Sequence, residues 1–513
     1  MRKSRITTLL FAALLASTIA APPVLAAEDE SSKHDMSPEA RIIDVDQIAE
    51  DWFGPQPRYD QHPYNAQEQL DIYGKKYLNK TAKALVDHGI RMYDRGAYTP
   101  RATWLGQMNP INYHFMSFGD LRVAGASYDG GTPTTGPPLG EQAVVAARLN
   151  LDMDLALTAT ERIHAFVRPF DTGKSFTRYQ IKGPQQHEFI HEFNFDLKTL
   201  YFEGDAGAIA QGLTHRINQL DLPIGFGRIP LFTQNGIWLD DAFDGVATGI
   251  TAKNSPRLDI SNTDLTFFAG FRGVTTGASP NTDDDNKVFG LAGFVDARRG
   301  YFEYGYGYTN AQNSDLSYHN LTAAFSKRYK GRLNNSVRVI GNFGQKGVGG
   351  QKTADGALLL LENSIIPRYF PYASKYNVLN FVPYINLFAG FNSPQPLARA
   401  ADSGGVLKNT GINFESDGLT AYPTLNATAK KAYGGAAGLE YLFDLHSQIV
   451  FEVAAVQHMG SVASGATRNQ YALGARYQHK INNAWIIRAD AMKGWVDGQK
   501  DIYGVRLELR RKF

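Results

Sequence analysis

Beyond residue 113 the chain alternates between apolar and polar positions with a period of two. In the last segment, DIYGVRLELRRKF, Tyr503, Val505, Leu507, Leu509 and Phe513 share one parity. Gly504, Arg506, Glu508, Arg510 and Lys512 share the other. Successive side chains of a strand point to opposite faces, so this pattern predicts a strand with one apolar and one charged face. In NAWIIRADAMKGW the parity of Trp485, Ile487, Ala489, Ala491 and Trp495 opposes that of Ile486, Arg488, Asp490 and Met492. YALGARYQ (471–478) alternates around Arg476, IVFEVAA (449–455) around Glu452, and SVRVIGN (336–342) around Arg338. AVVAARLNLD (143–152) sets Arg148, Asn150 and Asp152 against Val145, Ala147, Leu149 and Leu151. ERIHAFVRP (161–169) sets Arg162, His164 and Arg168 against Ile163, Ala165 and Val167. GALLLLENS (356–364) is apolar on both faces and does not declare a side.

About eighteen such segments can be placed between 113 and 513, starting near 113, 141, 159, 194, 216, 243, 261, 286, 300, 315, 333, 354, 379, 435, 447, 468, 483 and 500. The connections sort by length. Those after odd-numbered segments are mostly long, namely 128–140, 170–193, 227–242, 271–285 and above all 392–434, and those after even-numbered segments are mostly short. PRYFPYASKYNV (367–378) is a long connection on the short side. Long loops on one rim and tight turns on the other describe an all-β, up-and-down antiparallel transmembrane barrel of about 18 (16–18) strands. An even count puts both barrel ends on the short-turn rim, which the pattern assigns to the periplasm.

Trp485 and Trp495 lie on one face, ten residues apart. That spacing is roughly 33 Å along a strand, or roughly 25 Å along the membrane normal after tilting, the height of the apolar band between two aromatic girdles.

The front of the chain differs. MRKSRITTLLFAALLASTIAAPPVLA has a basic start, an apolar run and a small-residue cleavage site, so 1–26 is expected to be a secretory signal peptide. Residues 27–112 read as a mostly helical periplasmic or plug segment with a linker at 55–69. Ser37-Pro38 suits a helix start, and Ala82, Leu85, Val86, Gly89, Ile90 and Tyr93 fall on one helical face. Residues 113–513 form the barrel.

Composition fits this reading. Net charge is +2, so no nucleic-acid partner is implied. There is no cysteine, which excludes cysteine-ligated metals and attached haem. A barrel with a polar lumen accounts for a negative mean hydropathy of −0.30 without a membrane helix after the signal.

Candidate chemistry is sparse. HEFIH (187–191) has the H-E-x-x-H order of zinc proteases. Its surroundings alternate, with Phe189, Phe193 and Phe195 sharing parity with both histidines. On a strand those histidines stand about 13 Å apart and cannot share one tetrahedral zinc. GVGGQKT (347–353) and TDDDN (282–286) read as loop tips. No catalytic, cofactor or metal residues are therefore assigned, and the chain is not expected to be an enzyme.

The alternation, the terminal Phe513 and the phrase IWLDDAFDGVATGI (237–250) resemble the porin-like barrels of the alginate-export and related outer-membrane channel families, over about 113–513. The final strand is similar to their C-terminal assembly signal, with Arg511 where an apolar residue is usual. The resemblance implies an eighteen-strand barrel that passes anionic solutes.

The parity rule nominates Arg148, Arg162, Arg168, Arg338, Glu452, Arg476, Arg488, Asp490, Arg506, Glu508 and Arg510 as pore-lining residues. The set is biased toward cations, which favours anions. The long loop 392–434 is the candidate constriction or lid. The expected function is an outer-membrane channel of a Gram-negative bacterium for small polar or anionic solutes. The alternative is a plugged barrel acting as a receptor or in a secretion or surface complex. Expected partners are outer-membrane lipid, lipopolysaccharide, the barrel-assembly machinery, the solutes themselves and a periplasmic partner reached through 27–112.

Overall fold

The alternating segments form strands that hydrogen-bond in sequence order. The computed structural model describes residues 82–89, 113–131, 140–158, 160–172, 176–183, 186–279, 285–365, 381–400, 403–415, 418–443, 446–460 and 468–513. All belong to the unit Glu50–Phe513. The expected signal peptide, the linker at 55–69, the helix start at 37–38 and the connection 367–378 lie outside the described residues.

Numbered along the chain, β1 is His114–Asp129 and β2 is Glu141–Ala156. Strand β3 comes in two pieces, Arg162–Val167 and Thr177–Lys182, which pair with the two halves of β2. Strand β4 is likewise split into Glu188–Ile190 and Leu197–Asp205. Then follow β5 Pro223–Thr233, β6 Leu239–Ser255, β7 Ile260–Arg272, β8 Lys287–Ala297 and β9 Gly300–Asn310. Next come β10 Tyr318–Tyr329, β11 Leu333–Phe343, β12 Asp355–Ile365, β13 Phe381–Ser393 and β14 Ala432–Leu442. The last four are β15 Ser447–His458, β16 Gln470–Lys480, β17 Trp485–Val496 and β18 Ile502–Lys512. Strand β18 pairs antiparallel with β1 over Asp120–Asp129, so the sheet closes as an 18-strand antiparallel barrel, and only the start of β1 extends past β18.

Three local expectations fail. The span 227–242 was expected to be a long connection, but only 234–238 separates the strands Pro223–Thr233 and Leu239–Ser255. The span 170–193 was expected to be a loop, but Thr177–Lys182 and Glu188–Ile190 are strand. A polar excursion at 168–176 breaks the period, which hides the alternation of Arg178 and Gln180 with Tyr179 and Ile181. The helical face read across 82–93 also fails where it can be seen, because Val86–Gly89 is a strand. It pairs with β1, Val86 opposite Ser117 and Gly89 opposite His114, just beyond the point where β18 ends. There Phe513 exchanges backbone hydrogen bonds with Gly119 (2.9 and 3.1 Å). A free strand edge at the seam recruits the chain's own front segment, which overrides helix propensity.

The outer surface is apolar. Val123, Val145, Phe226, Phe267, Leu321, Val339, Leu387, Phe451, Leu473 and Leu509 are all exposed and all point away from the interior. A continuous exposed apolar belt is far larger than a soluble monomer tolerates. Aromatic rings cluster near its margins. His319 stacks on Tyr306 and Phe343 toward the long-loop rim, and Phe443 meets Tyr441 and Tyr477 toward the short-turn rim. Arg511, the unusual residue of the last strand, lies over the Trp485 ring at 5.6 Å. Its charge is thereby accommodated on the apolar face as a cation–π contact.

Candidate channel interior

The connection between β13 and β14 does not leave the barrel. Its described residues, 394–400, 403–415 and 418–431, fold inward and cross it. Ala398–Arg399 adds in parallel to the start of β6, Ala398 opposite Leu239. Leu397 N donates to Trp238 O (2.8 Å), and Leu397 lies against Gly307, where an added Cβ would sit 2.5 Å from its methyl group. The buried Arg399 guanidinium donates to Gly236 O (2.6 Å) and Gly404 O (2.7 Å), and Lys408 pairs with Asp240 (2.6 Å). Burial pushes the Arg399 guanidinium down to about 10, still well charged near neutrality.

On the other wall Glu452 holds the loop. Its carboxylate accepts from Ile412 N (2.8 Å), Asn413 N (2.9 Å), Asn413 Nδ2 (2.8 Å) and the Tyr384 hydroxyl. The backbone at Gly411 comes so near that a Cβ there would lie 2.1 Å from the Glu452 carboxylate. Leu419 then packs on Ala124, Ala126, Val144 and Ala146 of β1 and β2, and the Tyr422 hydroxyl donates to Gly504 O (3.1 Å). The loop returns through Asn426 N to Gln470 (2.8 Å) and Lys431 N to Asn392 O (2.9 Å).

Where the loop crosses, the inner wall is dry. Trp238, Phe243, Phe268, Leu358, Leu360 and Phe388 are buried in one cluster with Leu397, Leu407, Phe414 and Leu425 of the loop. This explains the two apolar faces of β12: Leu358 and Leu360 turn in under the loop, and Leu359 turns out.

The charged wall lies on β16, β17, β18 and β1. Asp490 accepts from Arg476 Nε (2.7 Å), Arg488 Nε (3.0 Å) and Arg506 Nη2 (2.8 Å). Glu508 accepts a bidentate pair from Arg122 (2.7 and 3.0 Å), one bond from Arg506 (3.3 Å) and two from Arg510 on one oxygen (3.0 and 3.2 Å). From the crossing loop, Glu415 reaches Arg476 (2.5 Å) and Arg488 (3.3 Å). Asp120 lies 3.6 Å from Arg510. Cross-strand register produces this network directly, since Arg476 opposes Asp490, Asp490 opposes Arg506, and Arg488 opposes Glu508. Burial raises the Glu415 carboxyl, but the Arg476 and Arg488 charges more than offset that and hold it below the usual carboxylate range. Five guanidinium groups meet four carboxylates here. Arg506 is sealed (side chain 0% exposed), whereas Arg510 stays 30% open and Arg488 14%.

The other nominated residues are placed separately. Arg148 and Arg168 converge on the buried Asp171 of the 168–176 excursion at 3.1 and 3.5 Å. Arg162 lies 3.4 Å from Asp154, which with Glu203 also clamps His164. Arg338 is buried against Glu362 (2.9 Å). Glu452 binds the loop rather than an arginine. Trp495 is exposed, Trp485 is half-buried under Arg511, and Tyr503 and Leu509 face outward on β18 with Val505 and Leu507. Parity could not reveal Arg122, Asp120, Glu362 or Glu415 as partners, because each is assigned by neighbouring strands or by the loop.

Nine strands around the barrel from β17, the inner face of β7–β9 carries carboxylates instead. Asp264, Phe294 and Glu303 form one cross-strand row. They line a cavity of about 300 Å³ below Trp238, together with Gln234, Thr266 and Ala292. The HEFIH segment lies elsewhere, with His187 in a left-handed turn (φ 64°) and Glu188–Ile190 in a strand. His191 stacks between Phe189 and Phe193 (6.3 and 6.1 Å) in an exposed ladder. Gly347, Gly349 and Gly350 take left-handed turns in the loop after β11.

No protein-family model and no curated protein matches this sequence. Among solved structures, the chain is similar to a BenF-like porin from Pseudomonas fluorescens Pf-5, at 10% identity and a TM-score of 0.51, covering 78% of this chain and 98% of that one. It is also similar to Pseudomonas aeruginosa OpdK with vanillate, at 11% identity and a TM-score of 0.49 over 77% of this chain and 98% of that one. OccK3 (OpdO) of Pseudomonas aeruginosa follows, at 10% identity and 0.45 over 77% and 95%. The first of these likenesses agrees with the barrel in fold. The resemblance read from the sequence thus holds at the level of a porin-like barrel, and these comparisons do not support the alginate-export family.

Proposed function

We propose that this chain is an outer-membrane channel of a Gram-negative bacterium that passes small polar solutes and favours anions. One observation carries the reading: a closed barrel, apolar outside, encloses an inward loop beside an arginine wall on which Arg510 is 30% exposed and Arg488, Arg476 and Arg122 are 12–14% exposed. The apolar belt suits lipid, and Trp485 and Trp495 suit its two interfaces. Residues 1–26 act as the export signal. The segment 27–112 is periplasmic and is attached at the rim through Val86–Gly89. Tyr503, Val505, Leu507, Leu509 and Phe513 serve barrel assembly.

The crossing loop sets the solute size. A loop that touches β6 on one wall and β15, β18 and β1 on the other leaves room for small molecules rather than for a polymer. The arginine wall and the Asp264–Glu303 face lie on opposite sides, so a solute between them meets a transverse field. Arginine forks suit carboxylate and phosphate groups.

Reversal potentials across a tenfold salt gradient test this. Anion selectivity is expected, and Arg488→Gln with Arg510→Gln should move the potential toward zero. A cation-selective or unchanged potential overturns the anion reading.

A further inference from the structure

The short-turn rim is strongly charged along one arc. Three neighbouring turns, 256–259, 298–299 and 330–332, join β6 to β7, β8 to β9 and β10 to β11. Register makes them contiguous, with Ile260 opposite Ala297 and Gly300 opposite Lys327. Lys327 Nζ ties two of them by donating to Arg298 O (3.0 Å). The arc carries Arg257, Arg298, Arg299, Arg328, Lys330 and Arg332, of which all but the half-buried Arg332 are exposed. Asp259 and Asp296 are the carboxylates of the same turns and strand ends.

Turn chemistry does not explain this composition. Arg298 (φ 51°) and Arg299 (φ 60°) are both left-handed in a two-residue hairpin turn, where Asn-Gly is favoured. Lys330 (φ 49°) is left-handed as well. Three cationic side chains thus occupy positions whose backbone disfavours them, which points to a use for the charge. Just above the arc, Phe302 is exposed on the outer face of β9 and stacks on Tyr304 of the same face, and Leu258 is exposed in the first turn. Basic groups beneath outward aromatics at the end of an apolar belt occupy the headgroup level of a bilayer.

We propose that this arc is a binding surface for the anionic headgroups of phospholipids in the leaflet that meets the short-turn rim. The inference rests on the membrane reading above. Lipid is favoured over an acidic protein because the charges continue the apolar belt rather than surround a separate apolar patch. Each cation near an anionic surface contributes roughly fivefold in affinity, screened by salt.

The test uses the full chain and the triple variant Arg298→Asn, Arg299→Gly, Lys330→Asn, whose turns should fold at least as well. Native mass spectrometry in a neutral detergent follows titration with phosphatidylglycerol or phosphatidylcholine. The wild type should prefer phosphatidylglycerol, and the variant should lose tenfold or more of that preference while its bilayer conductance is unchanged. An equal preference in both proteins overturns the proposal. So does a wild type that ignores phosphatidylglycerol yet binds polyglutamate, which would identify an acidic polypeptide as the partner. Failure of the wild type to enter bilayers at all overturns the membrane reading itself, and the lipid surface with it.

Discussion

Glu452→Gln isolates the contact that holds the inward loop. Four donors converge on this carboxylate, two of them backbone amides of the loop. A carboxylate offers about four acceptor sites on two oxygens, whereas an amide offers one oxygen and turns its NH2 donors toward the rest. With its oxygen kept toward Asn413, the amide still loses the bond from Ile412 N of the loop, together with that from Tyr384 of the wall. A hydrogen bond to a charged acceptor is worth about 1.5–3 kcal/mol, so docking should weaken by at least about that much. At about 1.4 kcal/mol per tenfold, that shifts the docked-to-undocked ratio by about tenfold or more. The remaining anchors, Lys408 to Asp240 and Leu397 to Trp238, belong to the opposite wall and should keep that end of the loop in place. Single-channel recording should show a larger mean conductance with added open-state noise, and limited proteolysis should cut within 403–415. Heat-modifiable mobility on gels should stay that of a folded barrel, because Glu452 makes no bond there that closes the sheet. Wild-type conductance, noise and protection in the variant would refute the reasoning.

Three further outcomes follow from the same geometry. Glu415 titrates below the usual carboxylate range, so its hold on Arg476 and Arg488 is complete above that range and is lost as pH falls through the lowered value. Conductance should therefore be flat from pH 8 to 5 and rise only below about 4.3, the unperturbed value for glutamate; Glu415→Gln should remove this acid response. Trp238→Ala removes a fully buried indole that donates to Asn320 (2.9 Å) and roofs the cavity, and should cost about 3–5 kcal/mol in chemical denaturation. Val86→Pro should break the strand added at the seam, and should lower the gel-shift unfolding temperature without changing ion selectivity.

Much of the barrel was legible because its two faces meet different solvents. Over 476–478, 488–490 and 506–510, strands β16, β17 and β18 put polar and charged residues in and apolar residues out, and period two reports that directly. Where the interior is dry the signal fades. Leu358 and Leu360 match Leu359 in hydrophobicity because the loop 394–431 covers them, and no local pattern announces a cover that arrives from forty residues downstream. The loop's length was visible, but its partners were not: Glu415 and Gly411 acquire meaning only beside Arg476 and Glu452. The splits in β3 and β4 were missed for a related reason, since an inward excursion that buries Asp171 looks like any polar loop. The strand at Val86–Gly89 reflects an open edge on β1, which a helical stripe in the sequence cannot foresee.

The most direct test uses the absence of cysteine, which allows single labels without background. A nitroxide at Leu509, on the outer face, and another at Arg510, on the inner face, sit on adjacent residues of β18. In liposomes the label at 509 should be relaxed by oxygen from the lipid and hidden from a water-soluble nickel chelate, and the label at 510 should show the reverse. Equal access of the chelate to both positions would mean that lipid does not surround this barrel.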